Sequence, residues 1–241
     1  MVYVATCIDL YTLRSMDAVR RENAYDWTRT KLQKQMHITP WDRDVLKEAA
    51  AQMLGRREKF HVLHPSWMYW ALEPFWEEHR GFGYLASMTE YTPLQKPPAP
   101  AIDLPEKYVA VKWYDRGTFP RQHPPVQDAV AQFTAILGAQ TMVVSLTGGY
   151  AADDHTDFEV QHPHMLRLPA VSPEQNLALQ IQVLSRATAF VGTYGGVAQL
   201  ALRLGVPSCS FYAGFDGTAH AHLSLSHFLG QKTKIPFLVG S

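Results

Sequence analysis

From 107 to 212 the apolar positions fall into short unbroken runs, separated by longer stretches where they recur every third or fourth residue. The runs KYVAVKW (107–113), TMVVSLTGG (141–149), TAFVG (188–192) and PSCSFY (207–212) read as strands buried on both faces, and MLRLPAV (165–171) as a short extended segment. Between them, VQDAVAQFTAILGAQ sets Val126, Val130, Phe133, Ile136 and Leu137 at helical spacing, with Gly138 as the stop signal. SPEQNLALQIQVLSRA opens with Ser172 as N-cap and Pro173 at the first helical position, and carries Leu177, Ile181 and Leu184 as its stripe. GGVAQLALRLG, from Gly195 to Gly205, is a third helix. Continuous apolar strands alternating with helices predict a parallel sheet covered on both faces. The expected fold class is therefore α/β, a doubly wound, Rossmann-like sheet over 107–241.

The first ninety residues are less regular. VYVATCIDL (2–10) and KFHVLHPS (59–66) read as strands. WDRDVLKEAAAQML (41–54), with Gly55 behind it, and WMYWALEPFWEEH (67–79) read as helices. This predicts a smaller, incomplete α/β domain over 1–91. Its tryptophans, Trp27, Trp41, Trp67, Trp70 and Trp76, suit either core packing or the lining of a cleft. Between the halves, 92–106 carries Pro93, Pro97, Pro98, Pro100 and Pro105, a composition that favours extended backbone and reads as a linker.

Composition narrows the partners. Apolar residues make up 46 % of the chain and charged residues 18 %, enough for a sizeable core. Lys plus Arg and Asp plus Glu each number 22. That balance gives no global attraction to nucleic acid or to an anionic membrane. The two cysteines, Cys7 and Cys209, build neither a disulfide framework nor a zinc cluster and read as buried thiols. No apolar run reaches the roughly 18 residues of a membrane span. The opening MVYVATCIDLYTLRSMD lacks a basic start and carries Asp9 in its apolar part, unlike a signal peptide. The expected setting is the cytoplasm.

The sharpest chemical feature is the turn Gly192-Thr193-Tyr194-Gly195-Gly196 between a strand and a helix. A helix N-terminus offers unpaired N–H groups and the positive end of the helix dipole, and glycine lets an anion reach them. The turn lacks both G-x-G-x-x-G and the P-loop's Gly-Lys-Ser/Thr, which argues against a dinucleotide or nucleoside-triphosphate site. Close packing of strand on helix is the competing reason for glycine here.

The order from Ser172 to Tyr212, capped helix, strand, TYGG turn, helix and strand, resembles the C-terminal nucleotide-binding domain of GT-B glycosyltransferases, and within them the heptosyltransferase-like members. The likeness covers about 107–212. Tyr194, Gly195, Gly196 and Gln199 stand where heptosyltransferases carry aspartate, threonine, glycine and histidine. The resemblance implies a nucleotide-sugar donor, an unidentified glycan, lipid or small-molecule acceptor, and no metal or other cofactor. It implies that the diphosphate lies over Thr193, Tyr194, Gly195, Gly196 and Val197, with Leu168 and Pro169 against the base and Glu174 near the ribose. An acid in a helix's first turn is also favoured by the dipole alone.

Lys112 and Arg116 follow the first strand of this half, at the edge where open α/β sheets bind ligands, and a cation there can offset charge on a departing diphosphate. An exposed salt bridge to Asp115 is the alternative. DDHTDFEVQHPH (153–164) fits no common zinc spacing and reads as a polar loop. His220, after PSCSFY, is a candidate contact to a phosphate or sugar hydroxyl. An inverting transfer also needs a base, and Asp9 and His64, at the ends of the two N-terminal strands, are the catalytic candidates by position. Two other functions remain: a non-catalytic binding or partner subunit of the same fold, and a sugar-nucleotide epimerase.

Overall fold

A computed structural model describes residues 47, 48, 51, 81, 83, 84, 93–115, 119–147, 156–171, 173–214 and 217–241, apart from the side chains of 173, 174 and 217–222. The strands and helices expected over 2–10, 41–54, 59–66 and 67–79 lie wholly or largely outside these residues. The chain divides into two compact units, Met1–Met88 and Thr89–Ser241.

The second unit is built on a six-stranded parallel sheet: β1 (Tyr108–Lys112), β3 (Met142–Ser145), β5 (Met165–Arg167), β6 (Ala189–Thr193), β7 (Ser208–Phe211) and β8 (Phe237–Gly240). Two further two-residue strands, β2 (Tyr114–Asp115) and β4 (Thr156–Asp157), pair antiparallel as a ribbon beyond β1. The helices are α1 (Pro124–Gln140), α2 (Pro173–Leu184), α3 (Gly196–Arg203) and α4 (Gly217–Thr233). In space the strands run β5-β3-β1-β6-β7-β8. The chain thus winds outward from β1 in one direction, returns to the centre and winds outward in the other, the doubly wound order expected of a Rossmann-like core.

The sheet separates two cores. On one face Tyr108, Ala110, Val144 and Phe190 pack with Leu179, Val183 and Leu184 of α2 and with Ala198, Ala201 and Leu202 of α3. On the other, Val109, Val111, Val143 and Val191 pack under Val126 and Val130 of α1. Tyr108 is fully buried and donates its hydroxyl to the Val183 carbonyl at 2.7 Å; burial pushes the phenol up to about 12.

Several local expectations are revised. Helix α1 buries Val126, Val130, Thr134 and Gly138, whereas Ile136 is 55 % exposed. Ile136 lies about 200° around the helix from Thr134, on the solvent side. Gly138 does not stop the helix, which runs on to Gln140. A Cβ there would run into the His162 ring, so Gly138 is a close-approach glycine. Helix α3 does end as its sequence suggests: Gly205 takes φ 78°, and the Val206 and Gly205 amides bond the Ala201 and Leu202 carbonyls, a Schellman closure. Helix α4 and strand β8 complete the sheet beyond the elements read from sequence.

The proline-rich segment is docked on this unit. The Leu94 amide donates to the Arg203 carbonyl at 2.9 Å, Arg186 Nη2 donates to the Pro97 carbonyl at 2.9 Å, and Ile102 and Leu104 pack on the core.

Candidate functional site

In a doubly wound sheet, ligands bind at the carboxyl ends of the strands where the winding reverses, here between β1 and β6. The register sets Lys112 of β1 directly beside Gly192 of β6. A Cβ on Gly192 would run into the Lys112 carbonyl, so this glycine is required by the approach of the two strands.

Gly196 differs. A Cβ there would meet nothing within 4 Å, and its φ is not positive. It is exposed at the first position of α3. Neither packing nor backbone conformation demands glycine, yet glycine leaves the amide open to an approaching group. The Gly195 carbonyl accepts the first helical bond, from the Gln199 amide at 3.1 Å, and Gly195 supplies no side-chain cap. The amides of Gly196, Val197 and Ala198 therefore have no acceptor within the helix. By contrast, α1 begins Pro124-Pro125, two residues without N–H, and the Val126 and Gln127 amides already bond the His123 carbonyl. The amides suited to an anion lie at α3, after the fourth strand of the main sheet, rather than after the first.

The other turn residues are committed to the fold. Thr193 is fully buried; its hydroxyl accepts from the Tyr114 amide at 3.0 Å and donates to the Tyr114 carbonyl at 3.2 Å. Its hydroxyl thus serves the chain rather than a phosphate. Tyr194 points into the core, its ring against Phe237 and its hydroxyl 3.5 Å from Ser226 Oγ. Of the five residues expected over the diphosphate, Gly195, Gly196 and Val197 offer main chain at the helix start. Leu168, expected against a base, is buried in the core, while Pro169 beside it is exposed.

Lys112 stays at the switch point, but its partner is not Asp115, which accepts the Arg121 amide instead. Lys112 Nζ donates to Gln180 Oε1 of α2 at 3.2 Å and lies 3.9 Å from Asp157 Oδ1 of β4. Gln180 is itself oriented by donating from Nε2 to Asn176 Oδ1 at 3.1 Å. Burial pushes the Lys112 ammonium down against the opposing pull of Asp157, and pushes the Asp157 carboxyl up against the pull of Lys112. The pair is held in a site that disfavours both charges, as functional sites and structural ion-pair networks both do. The stripe expected for α2, Leu177, Ile181 and Leu184, is only partly the buried one: the helix buries Leu179, Gln180, Val183 and Leu184 and leaves Leu177 and Ile181 half-buried. Gln180 is thus a polar residue on the buried face, which the expected stripe did not mark.

Asp9, His64 and Arg116 lie outside the described residues, and the side chains of Glu174 and His220 are not described; His220 itself belongs to α4. His162 and His164 meet at the end of α1, where His164 Nδ1 bonds the Gly138 carbonyl at 2.7 Å. Among the described residues no three His, Cys, Asp or Glu are grouped to hold a metal. An open groove of about 330 Å³ beside α1 is lined by Arg121, Ala131, Phe158, Glu159 and His162 among others, and holds neither Lys112 nor the glycine turn. Its charged side chains are exposed, so the buried charge at the switch point marks the better candidate. Among the described residues no helix is long and apolar enough to cross a membrane. Comparison with protein-family models, curated proteins and solved structures finds no match to this chain.

Proposed function

We propose that the Thr89–Ser241 unit holds a nucleotide-diphosphate sugar and that the chain is a cytoplasmic, metal-independent glycosyltransferase. The observation that carries the donor site is Gly196, a glycine with no packing or conformational cause at an uncapped helix start. Helix N-termini bind phosphate through such amides and the dipole. Lys112, at the end of the adjoining strand, supplies the cation that opposes charge growing on the leaving diphosphate. The transfer step rests on the GT-B resemblance, with Asp9 and His64 as its base candidates and the acceptor unidentified.

Calorimetric titration with UDP-, GDP-, ADP- and CMP-sugars tests the donor site. One of them is expected to bind, and Gly196→Val is expected to weaken it by at least about tenfold, roughly 1.4 kcal/mol. Because space surrounds Gly196, this variant keeps the stability of the parent in urea. Silence from the whole panel, or unchanged binding by Gly196→Val, sinks the donor site.

Binding without transfer is the second reading. It is favoured by Thr193 and Tyr194, whose hydroxyls are engaged within the fold and leave the turn main-chain contacts alone. Donor hydrolysis or transfer that disappears with Asp9→Asn or His64→Gln excludes it.

A further inference from the structure

The β2–β4 ribbon is a two-stranded sheet of its own, tied to the main sheet at its carboxyl edge. Its first strand is fastened over the end of β6 by the two bonds between Thr193 Oγ1 and the Tyr114 main chain. Its second strand is set against the first with Asp157 opposite Tyr114. Continuing along β4, the Phe158 amide donates to the Trp113 carbonyl at 2.9 Å. Side chains alternate along extended backbone. Phe158 and Trp113 go to the aromatic core, while Asp157 turns to the Lys112 ammonium. The ribbon thus delivers a carboxylate to the lysine at the switch point.

That pairing is loose. At 3.9 Å the ion pair lies beyond hydrogen-bond length, and the bond Lys112 makes is to the neutral Gln180. The two side chains are 16 % and 13 % exposed, so each retains a path to solvent. A diphosphate carries more negative charge than one carboxylate and accepts short, charge-assisted bonds from ammonium. Lys112 gains by exchanging partners, and Asp157, left without its cation, protonates or turns to water. We propose that Asp157 is an internal counter-ion of the donor site, holding Lys112 while the site is free and yielding it to a diphosphate group. The proposal rests on the donor-site reading above and adds a residue that sets its affinity. Gln180 is the positioning residue that keeps the ammonium in place through the exchange.

Among the described residues, Lys112 is the charged group facing Asp157; Tyr114 stands across from it in β2, and Gln180 meets it through the lysine. Inorganic pyrophosphate is the common probe, titrated into the full chain at several pH values. Asp157→Asn is expected to bind it about tenfold more tightly than the parent near neutral pH, about the worth of one charge contact. The ratio of the two affinities cancels the titration of pyrophosphate itself. It is expected to fall toward one as pH drops into the carboxylate range, where the parent's Asp157 is also neutral, and a purely structural role would leave it flat. Gln180→Glu, which fixes a second carboxylate on Lys112, is expected to weaken binding by at least about tenfold. It provides an independent reading of the same exchange if Asp157→Asn does not fold. Equal affinities for parent and Asp157→Asn, or a pH-independent ratio, overturn the counter-ion while leaving the donor site standing. Unaltered binding by Gln180→Glu does the same. No binding of pyrophosphate or of any sugar nucleotide by parent and variants overturns both.

Discussion

Lys112 and Trp113 are neighbours in the chain but enter opposite sides of the sheet's carboxyl edge. Trp113 joins Phe119, Phe133 and Phe211, with ring centroids 5.9 to 6.3 Å from its own, and Phe158 stands edge-on to Phe119 at 5.9 Å. Lys112 joins Gln180 and Asp157 on the side where α3 begins. The aromatic side has its energy in area removed from water, while the other side holds charge at a site that disfavours it. One edge is thereby divided between anchoring the fold and presenting chemistry, and substitutions on the two sides are expected to have different consequences.

The largest effect is expected from Trp113→Ala, which empties the centre of the aromatic cluster and lowers stability by about 4 kcal/mol in urea unfolding. Its indole N–H is buried without an acceptor, so Trp113→Phe is expected to lose far less than Ala. An equal loss in the two would mean that the indole's shape, not its area, holds this side. Gly192→Ala drives a Cβ into the Lys112 carbonyl and disturbs both sides at once, at about 3 kcal/mol. Gly196→Ala, four residues later, serves as its silent control. Thr193→Val leaves the buried Tyr114 amide without its acceptor and is expected to lower the unfolding free energy by about 2 kcal/mol.

Asp157→Asn is expected to act chiefly through pH. The folded carboxyl is raised above its ordinary value near 4, so the folded state binds more protons there than the unfolded chain. This group's contribution therefore declines as pH rises from the ordinary carboxylate range through the raised value. Urea midpoints measured across that window should fall more steeply with pH for the parent than for Asp157→Asn; parallel curves would assign the buried carboxyl no share of the linkage. The smallest effect belongs to Ile136→Lys on the solvent side of α1, within about 0.5 kcal/mol. A larger loss would show that this face is covered in solution.

Much of the second unit is legible in sequence because its rules are local. Unbroken β-branched runs mark strands buried on both faces, and Pro173 and Gly205 mark helix ends. Where periodicity alone decided, it placed Val126, Val130, Phe133 and Leu137 of α1 correctly and misplaced Ile136. Phe133, Ile136 and Leu137 share approximate helical spacing with Val130, and only the sheet beneath shows that Thr134 faces inward and Ile136 outward. Strand β8 has four residues and α4 mixes Leu and Phe with Ser, His and Gln, so neither carries a strong local pattern. The candidate site was half legible. Lys112 and Gly195-Gly196 follow from their places at strand and helix ends. Asp157 read as one of several charges in a polar loop, and Gln180 as a helix residue.

By itself the sequence determined a parallel α/β unit with a glycine turn opening a helix, since strand runs, helix stripes and caps are properties of neighbouring residues. Only the tertiary structure decided that β6 returns beside β1. That return distinguishes Gly192, confined by the Lys112 carbonyl, from Gly196, confined by nothing. It also joined Lys112 to Gln180 across 68 residues and Tyr114 to Thr193 across 79. Such pairs depend on strand order and register, which are fixed by the global burial of apolar faces and leave no local periodicity to read.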